Sequence, residues 1–139
     1  MTLLFKYINV PRQDGTVKKA PYIPIYVRTN NGKVLLLPAL IDSGADYSVI
    51  PKNVSMLLGL NEGKTTTSIG IGGSVKCCQT SLTFTIQGEH EKYSLSVPAF
   101  VIQDEHVRMP ILLGRNEFFD NFHITFKQDI LRLNLKKIN

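Results

Sequence analysis

One short stretch, residues 40–46, constrains the fold of this chain more than any other. It follows an apolar run at residues 34–39, which is too short to cross a membrane and which we predict to form a buried strand. The turn after this strand carries two carboxylates, Asp42 and Asp46. An ionised group next to apolar residues is costly unless nearby groups support it. The pattern therefore indicates that Asp42 has a chemical function and that the turn supports its carboxylate.

The residues that follow Asp42 allow two interpretations of the turn. Ser43 offers a hydroxyl donor, and Gly44 lets a backbone or a ligand approach closely. A simpler interpretation is an Asp-Ser-Gly turn in which the aspartate only accepts hydrogen bonds from its own backbone. Both interpretations remain open when this stretch is considered alone.

Composition and charge limit the class of protein. A chain of 139 residues with 43% hydrophobic and 19% charged residues fits one globular domain, residues 1–139. Its many Thr, Val, Ile, Tyr and Phe residues favour an all-β fold. The net charge of +5 is moderate, and no basic run is interleaved with aromatic residues. We therefore expect no nucleic-acid partner.

The cysteine and histidine residues do not predict a cofactor or a metal site. Cys77 and Cys78 are adjacent, so on a strand they would point to opposite faces rather than bridge to each other. The three histidines have no metal-ligand spacing. The first residues lack the pattern of a secretory signal and no apolar stretch is long enough for a membrane helix, so we expect neither. We expect a reduced cytoplasmic protein with no membrane partner.

Local patterns predict most of the secondary structure. We predict a short helix over 51–58, begun by Pro51 and ended by Gly59, and a second over 115–122. Pro98 predicts an edge or a bulge in its strand. The predicted strands span residues 3–10, 22–28, 34–41, 65–69, 75–78, 82–86, 93–102, 123–126 and 130–135.

Three motifs stand in one order along the chain. An apolar run leads into Asp42-Ser43-Gly44, a glycine-rich hairpin lies at residues 70–73, and a second apolar run leads into Gly114-Arg115-Asn116. Together these motifs resemble the retropepsin family of aspartic proteases, from about residue 22 to residue 126. The resemblance implies a closed β-barrel-like acid protease fold with one or two short helices and a flap hairpin. One such domain would supply half of a pepsin-like two-lobed site. The implied activity is that of an aspartic endopeptidase.

The resemblance also assigns roles to single residues. Asp42 matches the catalytic aspartate, Ser43 the hydroxyl that locks two active-site loops together across a dimer, and Gly44 a backbone position that faces the substrate. Asp46 and Arg115 match an ion pair that braces the loop, and Asp46 also borders the substrate. The remaining residues that match substrate-binding positions are those of the flap tip, Gly70, Ile71 and Gly72, and those of the pockets, Leu40, Ala45, Val49, Pro110 and Leu112.

The family mechanism needs two aspartates, but the chain contains one Asp-[Ser/Thr]-Gly motif. We therefore expect a homodimer with a polypeptide substrate, in which each protomer supplies one Asp42 side chain. The protein is either cytoplasmic as synthesised or released from a larger polyprotein. A catalytically silent dimerisation or peptide-binding module is the alternative, because a fold does not dictate its function.

Overall fold

The computed structural model describes residues 2–12, 14–70 and 73–139, and most of these residues lie in strands. Apolar and polar residues alternate along many of them, as expected where one face of a strand is buried. Within these ranges the chain also forms one α-helix, α1 (Lys52–Leu58), and a 3₁₀ helix, Phe119–Asn121. In chain order the strands are β1 (Thr2–Lys6), β2 (Ile8–Pro11), β3 (Val17–Ala20), β4 (Tyr22–Arg28), β5 (Val34–Ile41), β6 (Ser48–Ile50), β7 (Thr65–Gly70), β8 (Gly73–Gln87), β9 (Lys92–Ile102), β10 (Ile111–Leu113), β11 (Phe122–Lys127) and β12 (Arg132–Lys137).

Six strands close into a barrel, which confirms the predicted all-β fold class. Their order is β4-β5-β10-β6-β9-β8, and β4 also pairs with β8 through Tyr26 and Thr85. The hairpin formed by β7 and β8 extends from this barrel. Side chains from all sides fill the core, and among the fully buried ones are Ile23, Phe84 and Leu113.

A separate sheet, β1-β12-β11, packs against the same core. Leu3, Leu133 and Leu135 are buried on its inner face. The Phe118 ring, also buried, lies 5.3 Å from the Phe122 ring at the start of β11. The two ends of the chain are thus part of one hydrophobic core.

The predicted first strand, 3–10, is wrong as a single element. Tyr7 is buried and its N–H donates to the Leu131 carbonyl at 3.0 Å, so the chain leaves β1 at this point. The segment after it, β2, pairs with β3, a strand that the sequence patterns did not predict. By contrast, β4 and β5 have the predicted bounds.

The predicted helix over 115–122 is also wrong, because only the three residues of the 3₁₀ helix are helical. Glu117 has φ +69°, a left-handed conformation that a right-handed helix cannot include. Helix α1 is close to its prediction: Pro51 precedes it, and the left-handed Gly59 ends it by donating to the carbonyls of Ser55 and Met56. None of the helices in the described ranges is long and apolar enough to span a membrane.

The run before Asp42 is buried only at its end. Leu36 is 55% exposed, whereas Ala39 and Ile41 are buried. The early part of β5 has β4 as its partner, and β10 joins on the other side only at Ala39. The carboxylate turn therefore follows the part of β5 that is enclosed on both sides.

Candidate active site

Asp42 lies where two parallel strands end together. Its N–H donates to the Leu113 carbonyl at 3.0 Å, one residue beyond the pairing of Ile41 with Leu113. Strand β10 is therefore held between β5 and β6, which pairs with it through Leu112 and Val49. The end of β5, which leads into Asp42, is thus paired with a strand that is itself held on both sides.

The carboxylate of Asp42 is oriented by its own loop. Its Oδ1 accepts a hydrogen bond from the Gly44 N–H at 2.9 Å, so the bond required by the simpler interpretation of the turn does exist. Within the described residues Oδ2 has no protein partner, and the side chain is half-buried. Ser43 and Gly44 are exposed beside it. The loop thus fixes one carboxylate oxygen and leaves the other available.

Gly114, at the end of β10, allows a second loop to approach the aspartate loop closely. A Cβ atom at this residue would lie 2.5 Å from the Tyr47 carbonyl oxygen and 2.9 Å from that of Ala45. Its N–H donates to the hydroxyl of the buried Ser48 at 3.2 Å. Any larger residue at 114 would separate the two loops.

Three further contacts join these loops. The Arg115 N–H donates to the Ala45 carbonyl at 2.9 Å, and the Asn116 N–H donates to the Asp46 carbonyl at 2.7 Å. The Arg115 guanidinium also pairs with the Asp46 carboxylate, and both side chains are largely exposed. An exposed pair of this kind adds little stability by itself. The pair does neutralise Asp46, the second carboxylate of the turn. Asp42 is then the carboxylate of the turn that has no ion-pair partner among the described residues.

A cleft of about 700 Å³ lies between the aspartate loop and the β7–β8 hairpin. Both polar and apolar groups border it, and the lining includes Gly44 and Ala45 of the aspartate loop. The residues that line it are Gly44, Ala45, Asp46, Tyr47, Val49, Thr66, Thr67, Ser68, Gly73, Val75, Cys77, Phe100 and Ile102.

Several residues predicted to bind substrate are in this cleft and others are beside it. Ala45, Asp46 and Val49 line it, while Leu40 and Leu112 do not. The strand register nevertheless aligns Leu40, Leu112 and Val49 in one row across β5, β10 and β6. Pro110 is half-buried just before β10.

The sequence patterns missed an aromatic pair in the cleft. The Tyr47 side chain is 42% exposed, and its ring meets the edge of the Phe100 ring at a centroid distance of 5.0 Å. Ile102 follows Phe100 on the same face of β9. The alternation of β9 could have shown that Phe100 and Ile102 share a face, but not that this face borders the aspartate loop.

The predicted flap is a hairpin in the structure. Residues 65–70 pair antiparallel with residues 73–78, and the innermost pair is Gly70 with Gly73. The other two residues predicted at its tip, Ile71 and Gly72, lie outside the described residues. Gly73 has φ +109°, a conformation that favours glycine and explains its use next to the turn.

Both cysteines lie on the second arm of this hairpin and both are buried. Cys77 lines the cleft, and the Cys78 sulfur lies 3.4 Å from the Thr65 hydroxyl. Burial, and secondarily the neighbouring Cys78, raise the pKa of the Cys77 thiol, which keeps it neutral. No cluster of three or more His, Cys, Asp or Glu residues in the described ranges is placed to hold a metal ion.

A polar cluster anchors the first arm of the flap hairpin to the barrel. The Glu62 carboxylate accepts hydrogen bonds from Lys52 and Gln103 at 2.8 Å each, and from the Ser55 hydroxyl at 2.8 Å. These partners come from α1 and from the residue after β9. Burial alone would raise the pKa of Glu62, but the three hydrogen bonds and the Lys52 charge outweigh it and lower the pKa below its ordinary value.

Comparisons with known proteins agree on one family and one fold. The sequence model of the family described as aspartyl protease matches residues 25–116. A retropepsin-like aspartic protease from Rickettsia conorii has a TM-score of 0.57 at 20% identity, with 99% of this chain and 97% of that chain covered. The EIAV protease in complex with an inhibitor has a TM-score of 0.54 at 24% identity, with 74% and 88% covered.

A third solved structure extends the likeness to a eukaryote. The retroviral protease-like domain of Ddi1 from Leishmania major has a TM-score of 0.55 at 14% identity, with 86% of this chain and 94% of that chain covered. At these identities the structures show a shared fold. No curated protein sequence matches the chain.

Proposed function

The chain belongs to the aspartyl protease family and has the retropepsin fold, and we propose that it is an endopeptidase that acts as a homodimer. The observation that supports this most is the Asp42 loop: one carboxylate oxygen is held by the Gly44 N–H, and the other has no protein partner in the described residues. In this proposal one domain, residues 1–139, carries the whole function.

The reaction needs two carboxylates that share one proton. The ionised Asp42 removes a proton from a water molecule, whose oxygen attacks the peptide carbonyl carbon. The protonated Asp42 of the other protomer donates its proton to the carbonyl oxygen, which gives a tetrahedral adduct. The C–N bond of this adduct then breaks as the first Asp42 passes the proton taken from water to the leaving amine nitrogen, and the second Asp42 recovers a proton from a hydroxyl of the adduct. Two carboxylates about 3 Å apart resist joint ionisation, so the pair keeps one proton over a range of pH, and aspartic proteases are the established example.

One protomer cannot supply both carboxylates. The nearest other carboxylate in the loop, Asp46, is paired with Arg115. The three residues after β10 that close against the aspartate loop are Gly114, Arg115 and Asn116, and none of them is an acid. A two-fold axis beside Asp42 would bring in the same residue of a second copy. In that dimer Ser43, which is exposed here, would meet the partner's loop, as the family resemblance implies.

The cleft supports a polypeptide as the substrate. It is long enough to border both the aspartate loop and the flap hairpin, and Val49, Tyr47 and Phe100 give it apolar surface. Ala45 lines the cleft, and Leu40 and Leu112 share a strand row with Val49. In this proposal these residues and Pro110 supply further apolar contacts to the substrate, and Gly70, Ile71 and Gly72 would cover it. We therefore expect extended peptides with hydrophobic side chains beside the cleaved bond.

The first prediction concerns Asp42 itself. Asp42→Asn keeps the shape of the side chain but cannot accept a proton, so cleavage of a peptide library should fall by about 10² to 10⁴. Cleavage is followed by mass spectrometry at several pH values. Asp129→Asn, in an exposed turn outside the site, is the matched control and should cleave like the parent.

Two results would count against the proposed function. If Asp42→Asn cleaves as fast as the parent, Asp42 is not the catalytic group. If the parent cleaves no peptide at any pH but remains dimeric by sedimentation, the silent dimerisation or peptide-binding module is favoured instead.

A further inference from the structure

The sheet β1-β12-β11 has one face on the core and one face in solvent. We call the outward one the terminal face. Its residues alternate with the buried Leu3, Leu133 and Leu135, and all but one of them are exposed. The terminal face consists of Thr2, Leu4 and Lys6 on β1, Arg132, Asn134 and Lys136 on β12, and His123, Thr125 and Lys127 on β11.

The charge of this face has one sign. It carries four of the cationic side chains and no carboxylate, on a chain whose net charge is only +5. The register places Lys6, Arg132 and Lys127 directly opposite one another in one row across the three strands. Lys136 and His123 are paired in a parallel row four residues further along the strands, at a separation of about 13 Å.

Among the described residues, the cations of the terminal face have no ion-pair partner. Like charges directly opposite each other on neighbouring strands destabilise a sheet. Within residues 2–12, 14–70 and 73–139, the ion pairs involve Glu62, Glu89 and Asp46, and none reaches the terminal face. Acidic residues lie near the face at Asp129 in the β11–β12 turn, and at Glu89 and Glu91, which line a pocket with Thr2 and Leu4. An anionic partner would relieve the repulsion.

We propose that the terminal face binds the phosphate backbone of double-stranded nucleic acid. Four cations on one exposed sheet face, three of them in one row and Lys136 in the other, can contact phosphates, which a duplex presents on its outside. The face has no Phe, Tyr or Trp on which bases could stack, which disfavours single strands. Leu4 is its one exposed aliphatic side chain, too little apolar surface for stable binding to a lipid bilayer.

The inference goes beyond the proposed protease activity and does not depend on it. None of the nine residues of the terminal face lines the cleft, so a bound duplex would leave the cleft open. It also revises the expectation of no nucleic-acid partner. That expectation rested on the moderate net charge and on the lack of a basic run interleaved with aromatic residues, whereas the sheet assembles these cations from residues near both ends of the chain.

The test measures the salt dependence of binding to a fluorescein-labelled DNA duplex of about 20 base pairs by fluorescence anisotropy, with the complete chain. Four phosphate contacts predict a slope of about −3.6 in log affinity against log salt, or a loss of about 100-fold between 50 and 200 mM. Replacing three cations, in Lys6→Gln, Lys127→Gln and Lys136→Gln together, should reduce this loss to about fourfold. It should also raise the midpoint of thermal unfolding, because repulsion in the row is relieved.

A control with the same net charge separates this face from charge in general. The triple variant of Lys33→Gln, Lys64→Gln and Lys92→Gln removes three exposed lysines from other parts of the surface and should bind like the parent. The proposal is overturned if both triple variants lose binding equally, or if the parent does not bind duplex DNA at 50 mM salt. It is also overturned if a single strand or phosphatidylserine vesicles bind the face more tightly than the duplex does.

Discussion

At the scale of single residues, the site depends on how closely two loops approach each other. A Cβ atom at residue 114 would collide with the carbonyl oxygens of Tyr47 and Ala45. Gly114→Ala should therefore lower the free energy of unfolding by about 1–3 kcal/mol, because the backbone must move to admit the methyl group. Peptide cleavage should fall with it, since the Asp42 loop would lose its support. Urea unfolding and peptide cleavage measure the two effects.

Gly63→Ala is the matched control for this change. A Cβ atom there would lie 3.4 Å from its nearest neighbour, the Gln79 carbonyl oxygen, which is ordinary contact. Its stability and activity should stay close to those of the parent. Equal effects of the two substitutions would show that the close approach at Gly114 has no special importance.

The aromatic pair of the cleft carries a prediction about substrate binding. Phe100→Ala removes the ring against which Tyr47 packs and widens the cleft. We expect kcat/KM for peptides with large apolar side chains to fall by about 10- to 200-fold, the usual effect of lost apolar contacts in a pocket. Phe126→Ala, which removes a partly exposed ring outside the cleft, should leave kcat/KM unchanged. An unchanged kcat/KM in Phe100→Ala would mean that this side of the cleft does not contact the substrate.

The residues of the site differ in how well they could be predicted. Asp42, Ser43 and Gly44 are adjacent in sequence, and the apolar strand before them indicates that they form a functional turn. Tyr47 and Phe100 become neighbours only because β6 pairs with β9. No local pattern contains that pairing, so the sequence alone could not place them together.

At the scale of elements, the Glu62 cluster joins α1, the flap hairpin and the end of β9. Glu62→Gln should lower the free energy of unfolding at pH 7 by about 1–3 kcal/mol, because Lys52 and its partners lose a charged acceptor in a partly buried position. Chemical unfolding in urea measures this loss. Glu105→Gln, which changes an exposed carboxylate in a loop, should have little effect.

The same cluster gives the pH dependence of stability a definite sign. The pKa of Glu62 is lowered in the folded protein, so its contribution is present above the ordinary glutamate pKa of about 4.3 and is lost as the pH falls through the lower, folded value. The difference in stability between the parent and Glu62→Gln should therefore shrink in acid. A difference that stays constant from pH 7 to pH 3 would contradict the assigned role of the carboxylate.

Elements bounded by strong local signals could be predicted, and elements that depend on distant packing could not. The turn at residues 30–32 and the apolar alternation around it define β4 and β5, whose bounds are as predicted. The break at Tyr7 depends on its contact with Leu131, which lies at the other end of the chain. The predicted helix over 115–122 does not form where Arg115 and Asn116 bond to the aspartate loop. The spacing of aromatic residues contains no information on these contacts.

At the scale of the whole molecule, the proposed function makes the barrel one half of a catalytic site. Its strands hold Asp42 two residues before Gly44, which lines the cleft, and the neighbouring carboxylate Asp46 is paired with Arg115. The proposed activity therefore requires a second copy of the chain. The terminal face, by contrast, is complete in a single copy.

Mixing active and inactive protomers tests this requirement most directly. The parent and Asp42→Asn are combined in equal amounts, allowed to exchange subunits, and assayed for peptide cleavage at constant total protein. If each active site needs Asp42 from both copies, only the parent homodimers cleave, and activity should fall to about one quarter of that of the parent alone. Activity of about one half would show that each protomer works by itself, and would contradict the shared site.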